Sequence, residues 1–476
     1  MKKNTNGSRA DALKISIKEG SAGSVMNGVG NSFITPYALE LMKNFPVQTT
    51  NIYIGFLSSF VGLVSPISQI FSTKFMERLS RKKIVLYGVF FQALIWIPII
   101  LLGIMQYFGL WIDYLPGLLI FLYSLFVAIG AFATPAWFSW MGDLVPESKR
   151  GRYFSRRNRI IGVVSIISML IAGFLLDFFK TKGLILFGFA LLFSIGMIAR
   201  IYSFFLLRKQ YSPKLVLKDG YYFSFWQFLK KLPESNFGKF SLYLGLMYFA
   251  VSIASPFFNV YMLNQLNLSY VWFTIINLSA SVFSLIALPF WGKFADKYGN
   301  RRMLLICSFF VPLVALLWMG PGNVWYLFFV PSLISGIFWA GFDLAAFNFI
   351  YDSVRPEHRA LCSAYTNMLI GIGIFAGSAL GGLIAKFIPF TFGLGIFLFI
   401  FLISGIARFI IALIFVPQIK EVRPVKKPPL LLKELRYLSN YEHSLHHIKL
   451  PFMHLPFLTS LERKNLQKTK NLKLFG

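Results

Sequence analysis

Asp343 is the residue whose type and place ask most clearly for chemistry. It stands inside an apolar run, nine positions before Asp352, and so about 13 Å in from the edge of that run at the 1.5 Å rise of a helix. A carboxylate at that depth is costly unless it is functional, paired or protonated. It reads either as a proton-coupling or cation-contacting site, or as an acid that bonds a neighbouring helix. Ser332, Ser335, Trp339 and Asp343 recur at steps of 3, 4 and 4, which places them on one helical face. Three more apolar runs carry such stripes: Asn27, Asn31 and Thr35; Tyr248, Ser252, Ser255 and Asn259; and, more weakly, Tyr123, Gly130, Thr134 and Trp137. Polar stripes of this kind either line a wet path or glue helices together. Thr35-Pro36, Thr134-Pro135 and Ser255-Pro256 set a hydroxyl before a proline in three of these four runs, although Ser65-Pro66 shows that the pattern is not exclusive to them. Proline removes a ladder bond, and at membrane depth the freed backbone faces protein or a water-filled cavity. No nucleophile and base share these runs, no metal-ligand spacing appears, and no G-x-x-x-x-G-K-[ST] phosphate loop is present. Neither an enzyme nor a cofactor or metal is expected.

The elements that must position these residues are membrane spans. Of the 476 residues 56% are hydrophobic, 18% aromatic and 14% charged, against about 25% charged in a soluble domain. Twelve runs approach the length of about 20 residues that crosses a bilayer: 21–42, 49–72, 84–108, 115–141, 158–179, 183–207, 239–263, 270–292, 303–320, 325–350, 366–388 and 391–417. The fold class is an all-α polytopic membrane protein. Sorting the basic residues by alternate loops leaves only Lys43, Lys180, Lys182 and Lys386 on one side, with Arg200 and Arg408 inside spans. Basic residues are retained in the cytoplasm, which predicts a plasma-membrane protein with both termini cytoplasmic. The net charge of +29 then reflects topology and attraction to the anionic inner leaflet, and no nucleic-acid partner is expected. The first 20 residues lack the apolar core of a cleavable signal.

The chain repeats itself. Lys74-Phe75-Met76-Glu77-Arg78-Leu79-Ser80-Arg81-Lys82-Lys83 after span two matches Lys293-Phe294-Ala295-Asp296-Lys297-Tyr298-Gly299-Asn300-Arg301-Arg302 after span eight. Asp143 to Arg150 after span four matches Asp352 to Arg359 after span ten; Asn158 aligns with Asn367, and Arg200 with Arg408. Four matches in register indicate two six-span bundles related by an axis along the membrane normal. They divide the chain into a cytoplasmic tail 1–20, a bundle 21–207, a connecting loop 208–238, a bundle 239–417 and a basic cytoplasmic tail 418–476. Asp343 aligns with Thr134, so it does not belong to the duplicated framework.

At Gly292 to Arg302 the sequence resembles the signature loop G-x-x-x-D-R-x-G-R-R of the major facilitator superfamily of secondary transporters. Lys297 and Asn300 replace basic positions of that loop, and Thr73 and Glu77 degrade the first-half copy. The resemblance covers roughly residues 20–417. It implies two pseudo-symmetric six-helix bundles and alternating access, with spans one, four, seven and ten lining a substrate cavity. The residues then assigned to that cavity are Asn27, Asn31, Thr35, Thr134, Trp137, Tyr248, Ser252, Ser255, Asn259, Ser335, Trp339 and Asp343, with Asp343 the coupling candidate. It also implies a cytoplasmic latch built from Glu77, Arg78, Arg81, Asp143, Arg150, Gly292, Asp296, Lys297, Arg301, Arg302, Asp352 and Arg359. In it Asp296 sits near the start of the eleventh span, whose N-terminal amides carry about half a positive charge. Asp143/Arg150 and Asp352/Arg359 either strap each half by charge-assisted bonds or are solvated.

With few charges inside the spans, the expected partner is a small neutral or amphipathic solute, driven by protons or sodium and carried by a monomer. The alternative is a membrane sensor that keeps the fold without transport. Span five lacks the Gly-Pro pair typical of proton-driven drug exporters of the family, while span eleven carries Gly371, Gly373, Gly377, Gly381 and Gly382, a face that permits close helix approach. Glu40 and Asp177 at the outer edge read as solvated beside Lys43 and Lys180. The histidines His443, His446, His447 and His454 lie in a basic tail better suited to the inner leaflet than to a metal.

Overall fold

Helix boundaries in the computed structural model follow their capping residues. The structure describes residues 2–76, 78–145, 150–213, 224–355, 358–388 and 393–422. Glu77, the Arg150 side chain and the tail from 423 onward fall outside what is described.

The first half comprises α1 (Lys2–Val29), α2 (Ile34–Leu41), α3 (Val47–Phe75), α4 (Arg81–Tyr107), α5 (Leu115–Leu144), α6 (Arg150–Thr181) and α7 (Ile185–Lys209). After the short α8 (Phe225–Lys230), the second half comprises α9 (Asn236–Val260), α10 (Tyr270–Tyr298), α11 (Asn300–Leu317), α12 (Val324–Phe329), α13 (Pro331–Ser353), α14 (Arg359–Phe387) and α15 (Ile396–Phe415). Eleven described helices are long and apolar enough to cross a membrane. The remaining span is α1 and α2 joined through a single turn at Asn31–Phe33, where Gly30 lies against Trp96. Ser80, Ser235 and Ser269 cap α4, α9 and α10 by accepting the amides of Lys83, Gly238 and Trp272, leaving fewer orphan donors at each start. Gly299 holds φ at +89° in the one-residue joint between α10 and α11, a conformation only glycine adopts without strain.

α1 departs from expectation. It is helical from Lys2, so it takes in residues assigned above to a polar tail. Ala12, Ser16, Glu19 and Gly20 are buried. The small residues among them let α1 pack closely, with Gly20 against Arg157 and Ile161 of α6. One face of this stretch is thus a buried polar seam, while Arg9, Asp11, Lys14 and Lys18 stay exposed.

The duplication reappears as matched hydrogen bonds. Lys82 Nζ donates to the Arg208 and Gln210 carbonyls at 2.8 and 2.7 Å. Its counterpart Arg301 donates to the Pro417 and Ile419 carbonyls at 3.3 and 2.5 Å. Arg81 pairs with Asp143 at 2.6 Å, and the aligned Asn300 donates to Asp352 at 2.6 Å. Each half is thus tied to itself at the end that carries Lys2 and Val422, called here the basic face.

The buried core has a telling shape. At the opposite face one continuous cluster joins both halves, including Phe33, Trp96, Phe126 and Phe193 from the first and Phe257, Phe273 and Phe401 from the second. Toward the basic face it divides. Ile84, Trp140, Met141 and Leu207 pack within the first half, and Phe240, Tyr243, Met303 and Phe349 within the second.

α14 crosses between the halves on glycine. Gly373, Gly377 and Gly381 lie against backbone carbonyls of α9 at Gly245, Phe249 and Ile253, while Gly371 and Gly382 face α3 at Gly62, Pro66 and Gly55. A methyl at Gly377 would overlap the Phe249 carbonyl. Gly377→Ala is therefore expected to destabilise by about 1–3 kcal/mol through overpacking, read as a lowered melting temperature of the purified protein; an unchanged melt would refute this packing.

Candidate functional site

A cavity of about 700 Å³ lies between the halves near the basic face, lined by Trp137, Phe138, Ser139, Gly142 and Asp143 of α5, Phe154, Arg157 and Asn158 of α6, and Tyr351 of α13. Such a volume fits a drug-sized solute. Of the cavity residues expected from the sequence, Trp137 is the one found on this wall. It stacks under the Arg157 guanidinium, whose carbon lies 4.6 Å from the ring centroid, a cation–π arrangement.

Behind that wall lies a charged cluster. Glu19 of α1 reaches Arg157 Nη2 at 3.5 Å and Arg200 Nη1 of α7 at 3.8 Å, and accepts from the Ser203 hydroxyl at 2.9 Å. Arg157 Nε donates to the Ser16 carbonyl at 3.3 Å. Arg200 donates through Nε and Nη2 to Gln92 Oε1 at 3.1 and 2.5 Å. Glu19 is 6% and Arg157 9% exposed, so ionised groups here depend on one another. Tyr153 donates to the Leu13 carbonyl at 3.0 Å, and burial raises its phenol above the usual range, so it stays neutral. The sequence reading missed Glu19 and Arg157. The register that aligns Asn158 with Asn367 pairs Arg157 with Thr366, a neutral residue that bonds Ser241 at 2.9 Å; this asymmetry is the signal that would have found them.

In the second half Asp343 is exposed and accepts from the Tyr248 hydroxyl at 3.4 Å. Tyr248 lies 5.9 Å from Trp339, ring centre to ring centre. The structure brings these three candidates together. Asn31 Nδ2 donates to Asn27 at 2.7 Å, and the Asn31 carbonyl oxygen has no partner among the described residues. Thr134 bonds the Gly130 carbonyl of its own helix. Ser252 is buried in the α9–α14 seam beside Gly377, a packing position rather than a cavity wall. Thr35, Ser255, Asn259 and Ser335 are half-buried.

The latch candidates divide. Asp143 pairs with Arg81, which also donates to Ser139 and to the Pro213 carbonyl. Arg359 turns to the Tyr351 and Val354 carbonyls. Arg301 binds the end of its own half, and its amide donates to Glu421 at 2.8 Å. Arg78, Asp296 and Lys297 are exposed, with Lys297 over the Tyr298 ring and Gly292 facing open space. Asp296 makes no ion pair or hydrogen bond among the described residues.

The opposite face is joined where the sequence reading expected solvated charge. Asp177, near the end of α6, accepts from the Tyr270 and Val271 amides at 2.8 and 2.9 Å. It therefore caps α10, a helix of the other half, where a negative charge is favoured. This corrects the reading of Asp177 as a solvated partner of Lys180. Beside it Gly173 meets Thr274, and Phe33 meets Phe273 with ring centres 6.2 Å apart.

Among solved structures, the chain resembles the nucleoside transporter NupG at 14% identity and TM-score 0.59, covering 87% of this chain and 99% of that one. A bacterial homologue of the iron transporter ferroportin matches at 17% identity, with TM-score 0.61 in its inward-facing state, covering 86% and 97%, and 0.53 in its outward-facing state, covering 86% and 98%. By sequence it is 28% identical over 188 residues to the multidrug resistance protein MdtG of Dickeya zeae, 38% of this chain and 44% of that protein. It is 30% identical over 208 residues to the multidrug resistance efflux pump PmrA of Streptococcus pneumoniae serotype 4, 41% and 48%. The alignments thus span less than half the length of these curated relatives. The family pattern of the Major Facilitator Superfamily matches residues 20–235 and 240–462. Two bundles of matched design, joined at one face and parted by a cavity at the other, agree with that pattern, and the chain belongs to the major facilitator superfamily.

Proposed function

We propose that the protein is a secondary active transporter of a small amphipathic solute, working by alternating access in the plasma membrane with its basic face in the cytoplasm. The observation that carries this reading is the divided core. Both halves share one apolar cluster at the outer face and hold separate clusters around a cavity at the inner face. This arrangement supports the reading of a transporter open to the cytoplasm. The sidedness rests on the basic loops. The names of the multidrug relatives favour export, although α6 lacks the Gly-Pro pair noted above.

Closing the inner face would bring Asp296 toward the amino end of α14, where its charge is stabilised, while releasing Asp177 from α10. The two acids are then opposed gates. Asp343, beside Tyr248 and outside the duplicated framework, is the proton-coupling residue. The test is uptake in proteoliposomes under an imposed pH or sodium gradient. A solute found by that screen should be accumulated by the wild type, whereas Asp343→Asn should retain solute exchange and lose pH-driven accumulation. Retained accumulation in the variant counts against the coupling role, and no gradient-driven movement of any solute counts against transport.

A further inference from the structure

We propose that the inner cavity takes amphipathic organic anions, with the Arg157 guanidinium as the anchoring charge. The inference deepens the transport reading by naming the substrate class. Its starting point is charge balance. One carboxylate, Glu19, serves two guanidiniums, Arg157 and Arg200. The nearby Asp143 is matched by Arg81 at 2.6 Å, so it does not neutralise the excess. A positive charge removed from water and only partly neutralised is unfavourable, and an incoming anion would relieve it.

The two arginines of the cluster are not equivalent. Arg200 is held behind the wall by Gln92 and Glu19. Arg157 lines the cavity, its guanidinium over the Trp137 ring of the same wall. Arg408 shows what a purely structural arginine looks like in this protein. It is 1% exposed, bonded to Ser404 and to the Val311 and Val251 carbonyls, and not part of the lining of this cavity. The duplication argues the same way, because the position matching Arg157 is Thr366, in a neutral contact with Ser241. Packing two halves together does not require a charge there.

The rest of the lining completes the chemistry. Trp137, Phe138, Phe154 and Tyr351 offer aromatic surface beside the guanidinium. A planar guanidinium suits carboxylate, sulfonate or phosphate oxygens, and the rings suit an apolar body. This narrows the small neutral or amphipathic solute expected from the sequence to an amphipathic anion.

The test is binding to the purified full-length protein by titration calorimetry. The probes are matched sets in which a naphthalene, phenyl or indole body bears an acetate, the corresponding acetamide or an ethylamine. The wild type should bind at least one acetate about tenfold or more tightly than its amide and amine, the scale of one charge-assisted contact. Arg157→Gln, which leaves Glu19 and Arg200 as a balanced pair, should bring the acetate-to-amide ratio near one. Arg157→Lys should keep part of the preference. An amide or amine bound as tightly as its acetate, no binding of any acetate by the wild type, or a full preference in Arg157→Gln would each overturn the proposal. Because the readout is binding, these outcomes leave gradient-driven uptake to decide the transport reading separately.

Discussion

Glu19→Gln is expected to lower the stability of the protein by about 3–5 kcal/mol, the range for removing one member of a buried ion pair. The glutamine can still accept from Ser203, so the change isolates charge. What it leaves behind is two guanidiniums, Arg157 and Arg200, with Gln92, Ser16 and the glutamine as neutral partners. Arg408 shows that one buried arginine can be satisfied by neutral oxygens; two that share a single acid are a different problem. Thermal melts of the purified protein measure the effect, and the double variant Glu19→Gln/Arg157→Gln provides the control. It restores the original net charge of the cluster and should recover part of the loss. A single variant that melts with the wild type would show that Glu19 does not hold this cluster together.

Asp177→Ala should produce the second large effect, on conformation rather than on stability. Its carboxylate accepts two amides at the start of α10, and in the proposed alternating-access cycle the contact joins the halves only while the face opposite the basic one is closed. Bonds to a charged acceptor at a helix start are worth about 1–3 kcal/mol in this partly exposed setting. Losing them should shift the inward-to-outward ratio by about 5–150-fold toward outward. Spin labels on the exposed positions Lys182 and Asn264, at the ends of the two halves away from the basic face, would report it as a growing long-distance population. Asp296→Asn should move the same distribution the other way, because it weakens the inner closure. Equal distributions in Asp177→Ala and the wild type would remove Asp177 from gating.

Much of the fold is legible in the sequence because the physics that builds it is periodic. Span length, the segregation of lysine and arginine, and the repeat near 210 residues all leave marks in one dimension. Asp343 is legible because a carboxylate among apolar residues has no ordinary explanation. Glu19 and Arg157 are hidden for the opposite reason. Glu19 follows Lys14 and Lys18 in a stretch whose composition matches a solvated tail, and Arg157 sits among Arg152, Arg156 and Arg159, where one more cation suggests only topology. Their importance arises from a pairing across 138 positions, which no local pattern encodes. The comparison that sets Asp343 against Thr134 also sets Arg157 against Thr366. Asp177 is easily misjudged because Lys180 is its neighbour in sequence, whereas the amides it binds come from the other half of the chain.

The glycines of α14 have a mechanical consequence. Interlocked side chains would oblige two helices to unlock rotamers before turning past one another. Although the Pro66 ring and the Ile374 side chain fill the contact at Gly371 and Gly62, Gly382 meets Gly55 backbone to backbone, with no such teeth to disengage. That contact can act as a smooth bearing, and with each half buckled to itself by Lys82 or Arg301, a small roll there would carry the whole inner end of a bundle like a lever arm.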